Sequence, residues 1–288
     1  MPPRVRTARR ADIPALARLC RAAVGPHDYV LGYLAEMVGG REARIVEQRG
    51  RPVAMAGITE CADGGLWLGQ LRTHPRFRRS GYATLLLNDA FRRVVRERRP
   101  ALRLWTSRRN LAAQALFART GFLRVATFTR VVAPALPVPA RAAQPVPPGA
   151  ARLGALWRRW ERSAGCRSGR GYVEYRWHFV PLSRTVLREM TARGEVFASR
   201  GSAAVLWSEK GDPAAYGTVL AGRQAALLEM RRLAGALHRD RVEVFLPDSP
   251  ALVRAARAAG FGPAEWGREA ILFERPNRRQ ALTTAGRP

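Results

Sequence analysis

Three consecutive segments, LWLGQLRT (Leu66–Thr73), HPRFRRS (His74–Ser80) and GYATLLL (Gly81–Leu87), decide the fold. The first is strand-like and begins after the turn pair Gly64–Gly65, while the last opens an apolar helix. Between them lies an arginine-rich loop that ends on a glycine. Where a strand feeds a helix through such a loop, main-chain N–H groups point outward, the positive end of the helix dipole lies behind them, and glycine puts no side chain in the way. That layout cradles phosphate groups, a pyrophosphate in particular.

Working outward, the residues before the loop predict a helix from Asp12 as cap to about Val24 and a second from Tyr29 to Met37, stopped by Gly39–Gly40. The period then changes to strands at Ala43–Gln48 and Pro52–Thr59 about the turn Arg49–Gly50–Arg51, so with Leu66–Thr73 an antiparallel meander is expected. Beyond the loop come a helix to Arg98, a strand Leu102–Thr106, a helix Asn110–Thr120 closed by Gly121, and a strand Val125–Val132. Six prolines (Pro134, Pro137, Pro139, Pro145, Pro147, Pro148) then exclude helix and central strand and read as an extended linker. The second half echoes the first: Arg200–Gly201 answers Arg49–Gly50, and Gly260–Phe261 answers Gly121–Phe122, with residues lost between them. The expectation is α/β (α+β), two related domains at 1–133 and 150–288 joined by 134–149, each a mixed, mainly antiparallel sheet flanked by helices.

Arg78-x-x-Gly81-x-Ala83, placed between a strand and a helix, resembles the acyl-CoA loop of the GNAT superfamily of N-acyltransferases. Asn110-x-x-Ala113-x-x-Leu116-Phe117-x-x-x-Gly121-Phe122 is similar to that family's second conserved segment. The resemblance covers residues 4–132 well and the second half faintly. It implies acetyl-CoA (coenzyme A) as cofactor, with the amides of Arg79, Ser80, Gly81, Tyr82, Ala83 and Thr84 on the pyrophosphate and Arg78 opening the loop. Leu71, Arg72 and Thr73 would run beside the pantetheine arm, Leu71 N–H would polarise the thioester carbonyl, and Asn110 would hold the arm. A bulge in this strand is implied, opening a slot for the thioester.

Transfer to an amine also needs a proton removed from the attacking ammonium and one delivered to the departing thiolate. Many family members place tyrosine where Phe117 stands, and phenylalanine donates nothing. Glu60, at the end of the preceding strand, is the candidate base. His27, Asp28 and Tyr29 lie where the family builds its acceptor pocket, though a capping role for Asp28 reads equally from the residues. His74, before Pro75, reads as structural. The second half has Ala221-Gly222-Arg223-Gln224-Ala225 in place of the cradle and Ser249 in place of Asn110, so one cofactor per chain is expected. The function implied is an N-acetyltransferase acting on an amine of unknown identity; the alternative is a non-catalytic acyl-CoA-binding or nucleic-acid-binding protein on the same scaffold.

Composition sets the boundaries of this reading. At 47 % apolar and 25 % charged residues the chain of 288 can bury two ordinary cores. Fifty Lys+Arg against 22 Asp+Glu give +28, and Lys210 is the only lysine. Such an arginine field attracts phosphate-bearing partners, nucleic acid among them, unless it is merely compositional. Cys20, Cys61 and Cys166 are too few and too scattered for a disulfide framework or a metal site. No segment reads as a secretory signal or bilayer span, so a cytoplasmic monomer or homodimer is expected.

Overall fold

The computed structural model of the protein describes residues 2–137, 145–146, 149–265 and 267–277. They form two compact units. The first holds the chain to Leu104, then Ala112–Leu123, then the residues from Phe273 on; the second holds Trp105–Leu111 and Arg124–Leu272.

Unit 1 begins with β1 (Arg4–Thr7) and α1 (Ile13–Ala23), followed by a 3-10 turn at Tyr29–Gly32 and α2 (Leu34–Gly39). Asp12 does not cap α1 as expected. It sits inside a preceding 3-10 turn, where Oδ2 accepts the Arg9 N–H at 2.7 Å and the carboxylate pairs with Arg6. The helix expected over Tyr29–Met37 breaks at Tyr33 (φ −132°), because Asp28 closes a tight turn by accepting Val30 N–H. The meander is present: β2 (Ala43–Gln48), β3 (Arg51–Glu60) and β4 (Leu66–Thr73) pair antiparallel in turn. Then come α3 (Tyr82–Arg96), β5 (Ala101–Ser107) and α4 (Leu111–Arg119). Leu16, Leu19 and Cys20 recur at helical spacing on α1 and bury themselves with Met37, Ile45 and Met55 in one core.

The last strand of unit 1 is not supplied from its own half of the sequence. The strand Glu269–Pro276 lies next to β5, and its Phe273 packs edge-on against Phe117 with ring centres 5.4 Å apart. Arg103, buried on β5, is held between Glu274 (2.5 Å) and Asp63 (2.9 Å), and Asn277 binds the carbonyls of Arg99 and Pro100. The compact units therefore do not follow the contiguous ranges 1–133 and 150–288. The proline-rich reading of 134–149 falls largely outside the described residues (138–144 and 147–148), while Pro145 bridges Phe197 and Val146 N–H binds the Val196 carbonyl.

Unit 2 comprises β6 (Leu123–Pro134), α5 (Ala150–Glu161), α6 (Ala164–Ser168), the hairpin β7 (Tyr172–Tyr175) and β8 (His178–Pro181), α7 (Arg184–Ala192), β9 (Val196–Ala198), β10 (Ala203–Ser208), β11 (Ala214–Ala221), α8 (Arg223–Ala236), β12 (Arg241–Pro247), α9 (Pro250–Ala258), β13 (Gly262–Pro263) and, as far as Leu272, β14 (Glu269–Pro276). Its larger sheet runs β14-β6-β12-β11-β10-β9. The echo seen in the sequence is real at this level. β9, β10 and β11 form a second meander, and β11 pairs parallel with β12 as β4 does with β5. Among the described residues no helix is long and apolar enough to cross a membrane.

Candidate active site

The site in unit 1 starts from a fault in β4. Met55 stands opposite Arg72 and Gly57 opposite Gly69, so β4 carries one residue more than β3 and neither Gln70 nor Leu71 has a registered partner. Gln70 takes a left-handed conformation (φ 52°) to make the bulge. Its side chain folds over Gly57, where a Cβ would collide with the Gln70 carbonyl oxygen and come within 2.9 Å of Met37 Cε. On the other edge, β4 pairs with β5 only at Leu66–Leu102 and Trp67–Arg103. From Leu68 on, that edge of β4 has no strand partner among the described residues, which leaves it open alongside Leu71 and Thr73.

The chain then passes through a 3-10 turn, Pro75–Phe77, into the loop before α3. Arg79 (φ 64°) and Gly81 (φ 80°) are both left-handed, a sequence of turns that aims successive N–H groups to one side. The amides of Arg79, Ser80, Gly81, Tyr82, Ala83 and Thr84 have no acceptor among the described residues, and α3 has no side-chain cap. Six donors at one helix start are thus left to an outside ligand. A Cβ built on Gly81 meets nothing within 4 Å, so the protein itself leaves the approach open. Arg78 anchors the loop from behind by donating to the Ala23 carbonyl at 3.0 Å. Tyr82 is turned inward, buried, its hydroxyl donating to the Gln48 side chain, and His74 caps the 3-10 turn through Arg76 N–H, the structural role expected of it.

A polar cluster lies beside the bulge. Arg72 grips Asp28 bidentately, with both N···O distances at 2.8 Å, and its guanidinium carbon lies 5.4 Å from the centre of the Tyr29 ring. The Asp28 side chain is wholly buried. Burial alone would raise its carboxyl, but the hydrogen bonds and charge of Arg72 and the Val30 N–H outweigh it and hold it below the usual carboxylate range. Tyr29 and Tyr33 lie with ring centres 6.1 Å apart, and burial pushes the Tyr33 phenol up against the opposing hydrogen bond with Gln70. Tyr33 and Gln70 were missed as a pair by the sequence reading. The spacing Tyr29-x-x-x-Tyr33 was the available signal, but only the bulge brings Gln70 into this cluster.

The geometry gives several of the expected site residues partners of their own. The buried Asp28 carboxylate is taken up by Arg72, and the Arg72 guanidinium is turned to Asp28. His27 is exposed, as is Tyr29 at 59 %, and of the three acceptor candidates Asp28 and Tyr29 join the cluster. Glu60 is claimed by Arg99 and, at 3.9 Å, by Arg93. It also lies four strand residues beyond Ala56, which faces the bulge, a separation of about 13 Å at ~3.3 Å per residue. Phe117 is 4 % exposed, between Phe122 and Phe273, a core position and not one lining the loop. Asn110 donates its N–H to the Ser107 carbonyl just before α4 and belongs to the other compact unit.

The bulged strand, released from its neighbour, thus leads through the loop into a helix start whose amides are unclaimed among the described residues. Residues 22–122 match the model described as the acetyltransferase (GNAT) family. Solved structures share the fold over nearly the whole length. A GCN5-related N-acetyltransferase from Sphaerobacter thermophilus aligns with TM-score 0.61 at 18 % identity, covering 95 % of this chain and 95 % of the other. A Thermoplasma acidophilum protein reaches TM-score 0.61 at 16 % identity, covering 95 % and 99 %. A tandem GNAT protein from the clavulanic acid biosynthesis pathway reaches 0.54 at 14 % identity, covering 96 % and 98 %. No protein of curated function matches the sequence.

Proposed function

We propose that the chain is an acetyl-CoA-dependent N-acetyltransferase whose cofactor site lies in unit 1 and whose acceptor is an amine. The observation that carries this reading is the run of six acceptor-free amides from Arg79 to Thr84, with Gly81 open to close approach. They suit a pyrophosphate, and the free edge of β4 at Leu71 and Thr73 suits the amides of a pantetheine arm. Bound there, acetyl-CoA supplies the activated acetyl group. Leu71 N–H, freed by the bulge, is the donor for the thioester oxygen. Tyr29, Tyr33 and Gln70 border the side from which the amine arrives.

The attacking nitrogen forms a C–N bond as the C–S bond breaks; the ammonium must lose one proton and the sulfur must gain one. Asp28 and Glu60 are both held by arginine, and Phe117 has no proton to give. The neutral amine is therefore drawn from solution and its surplus proton leaves through water, while positioning carries the rate. Turnover at low amine concentration should rise with pH toward the amine's own pKa, because the neutral fraction rises with pH. The test is an acceptor screen with acetyl-CoA, read by free thiol and by the mass of the acetylated product. Tight coenzyme A binding without thiol release for any small amine, peptide or protein lysine would sink the catalytic reading in favour of a binding module.

A further inference from the structure

In unit 2 the position equivalent to the loop is closed at the backbone. β11 reaches α8 through Gly222 alone, and a Cβ there would run into the Gly201 carbonyl oxygen and within 2.7 Å of Ser202 Cα. Beside this closure, however, lies an open cleft of about 720 Å³, within the range of small-molecule sites. Six arginines line it: Arg158 and Arg159 on α5, Arg162 just after it, Arg167 on α6, Arg200 in the β9–β10 turn and Arg223 at the start of α8. No carboxylate lines it, and none of the six forms an ion pair among the described residues. Only Arg159 and Arg167 make hydrogen bonds, both to backbone carbonyls. Elsewhere in the chain arginines regularly meet acids, as Arg6, Arg72, Arg103 and Arg130 do. Six unneutralised guanidiniums around one concavity repel one another, and a multiply charged anion relieves that repulsion.

The remaining surface narrows the ligand. β11 and β12 pair only as far as Gly217–Val244, so the edge from Val219 to Ala221 opens into the cleft, with Leu220 and Leu252 as apolar floor. The Arg223 and Gln224 amides at the start of α8 have no acceptor among the described residues. We propose that this cleft is a second, separate binding site, for a small molecule that carries a diphosphate or several phosphate groups. Arginine forks would grip the phosphates from side chains where unit 1 uses main-chain amides. The bounded cleft favours a small ligand over a polynucleotide.

The test uses the full chain carrying Gly81→Val, so that the unit 1 loop does not contribute, titrated calorimetrically with inorganic pyrophosphate, ADP and coenzyme A. Binding of pyrophosphate or ADP at one site per chain is expected. It should weaken ~10-fold or more in Arg162→Ser/Arg223→Ser, whose charge-assisted bonds are lost, and be largely restored in Arg162→Lys/Arg223→Lys with the melting temperature unchanged throughout. ADP without coenzyme A identifies a nucleotide site; coenzyme A as well identifies a second acyl-carrier site. Flat titrations with all three ligands, affinities indifferent to the serine pair, or tighter binding of a single-stranded oligonucleotide than of any small phosphate would each overturn the proposal. Acetyl transfer by the otherwise wild-type chain tests the unit 1 reading separately.

Discussion

Gly81→Val separates what the loop does for the fold from what it does for the ligand. A Cβ at residue 81 meets no atom of the protein within 4 Å, so the only structural cost is a β-branched residue at φ 80°, about 1–2 kcal/mol. For a chain of this size each kcal/mol shifts the melting temperature by roughly 2–4 °C, so a fall of about 2–8 °C is expected. The loss for the ligand is larger. A branched side chain among the six open amides displaces the phosphate from at least two of them, and charged hydrogen bonds contribute about 1.5–3 kcal/mol each. Coenzyme A affinity should fall ~100-fold or more. The assay is calorimetric titration beside thermal unfolding, with Arg162→Ser/Arg223→Ser in both chains so that only unit 1 is read. Gly81→Asn is the control, because asparagine tolerates the left-handed backbone while still crowding the site. If either variant binds coenzyme A within about threefold of the parent, less than 1 kcal/mol, the cradle is not where the cofactor lies.

Phe117→Tyr should buy no turnover: its hydroxyl would enter the Phe122–Phe273 contact without a partner, costing about 1–3 kcal/mol in thermal unfolding. A faster, equally stable tyrosine variant would place residue 117 at the thiol after all. Asp28→Asn leaves the Arg72 charge buried without its anion and should cost about 3–5 kcal/mol. Because the Asp28 carboxyl is held low in the folded chain, its contribution is present above its unfolded pKa and fades as pH falls through the folded one, so the variant should lose stability less steeply on acidification; parallel acid limbs would refute the pairing. Glu174 in unit 2 behaves oppositely. Burial pushes its carboxyl up to about 8, against the Trp177 N–H bond and Arg130, so the folded chain retains a proton that the unfolded chain releases. Stability should decline as pH rises from the unfolded carboxyl range toward 8, and Glu174→Gln should melt above the parent at pH 8 while nearly matching it in acid; a variant less stable at pH 8 would contradict the burial argument.

What could be read from the sequence was local. The meander, the loop into α3 and the Gly121 and Gly260 helix ends are written in turn residues and periodicity over a dozen positions, and the loop's glycine at residue 81 carried its own meaning. Features that depend on distant partners were not legible. Asp28 and Arg72 are an ordinary acid and an ordinary base until folding brings them together, and the Arg99 that silences Glu60 sits on another element. The bulge in β4 was implied by the resemblance alone, and the residue that takes the left-handed turn is Gln70, not the neighbouring Gly69. The six arginines of the unit 2 cleft are dispersed from residue 158 to residue 223 in a sequence where arginine is common, so only the fold distinguishes them from the others. The strand Glu269–Pro276 reads as the natural end of the second half, and nothing in its alternation tells that Phe273 serves the first.

That strand has a bearing on how the protein comes into being. Synthesis runs from the amino end, so the residues of β1 to α4 emerge from the ribosome before β14, whose strand their sheet awaits. Until Phe273 and Glu274 arrive, Phe117 lacks its edge-on partner and Arg103 lacks Glu274. The nascent unit therefore has a part-exposed aromatic face until that strand arrives, and one of the acids that hold Arg103 is still missing. A frameshift or proteolytic nick near residue 268 would strike at unit 1, most of whose residues lie upstream of the break.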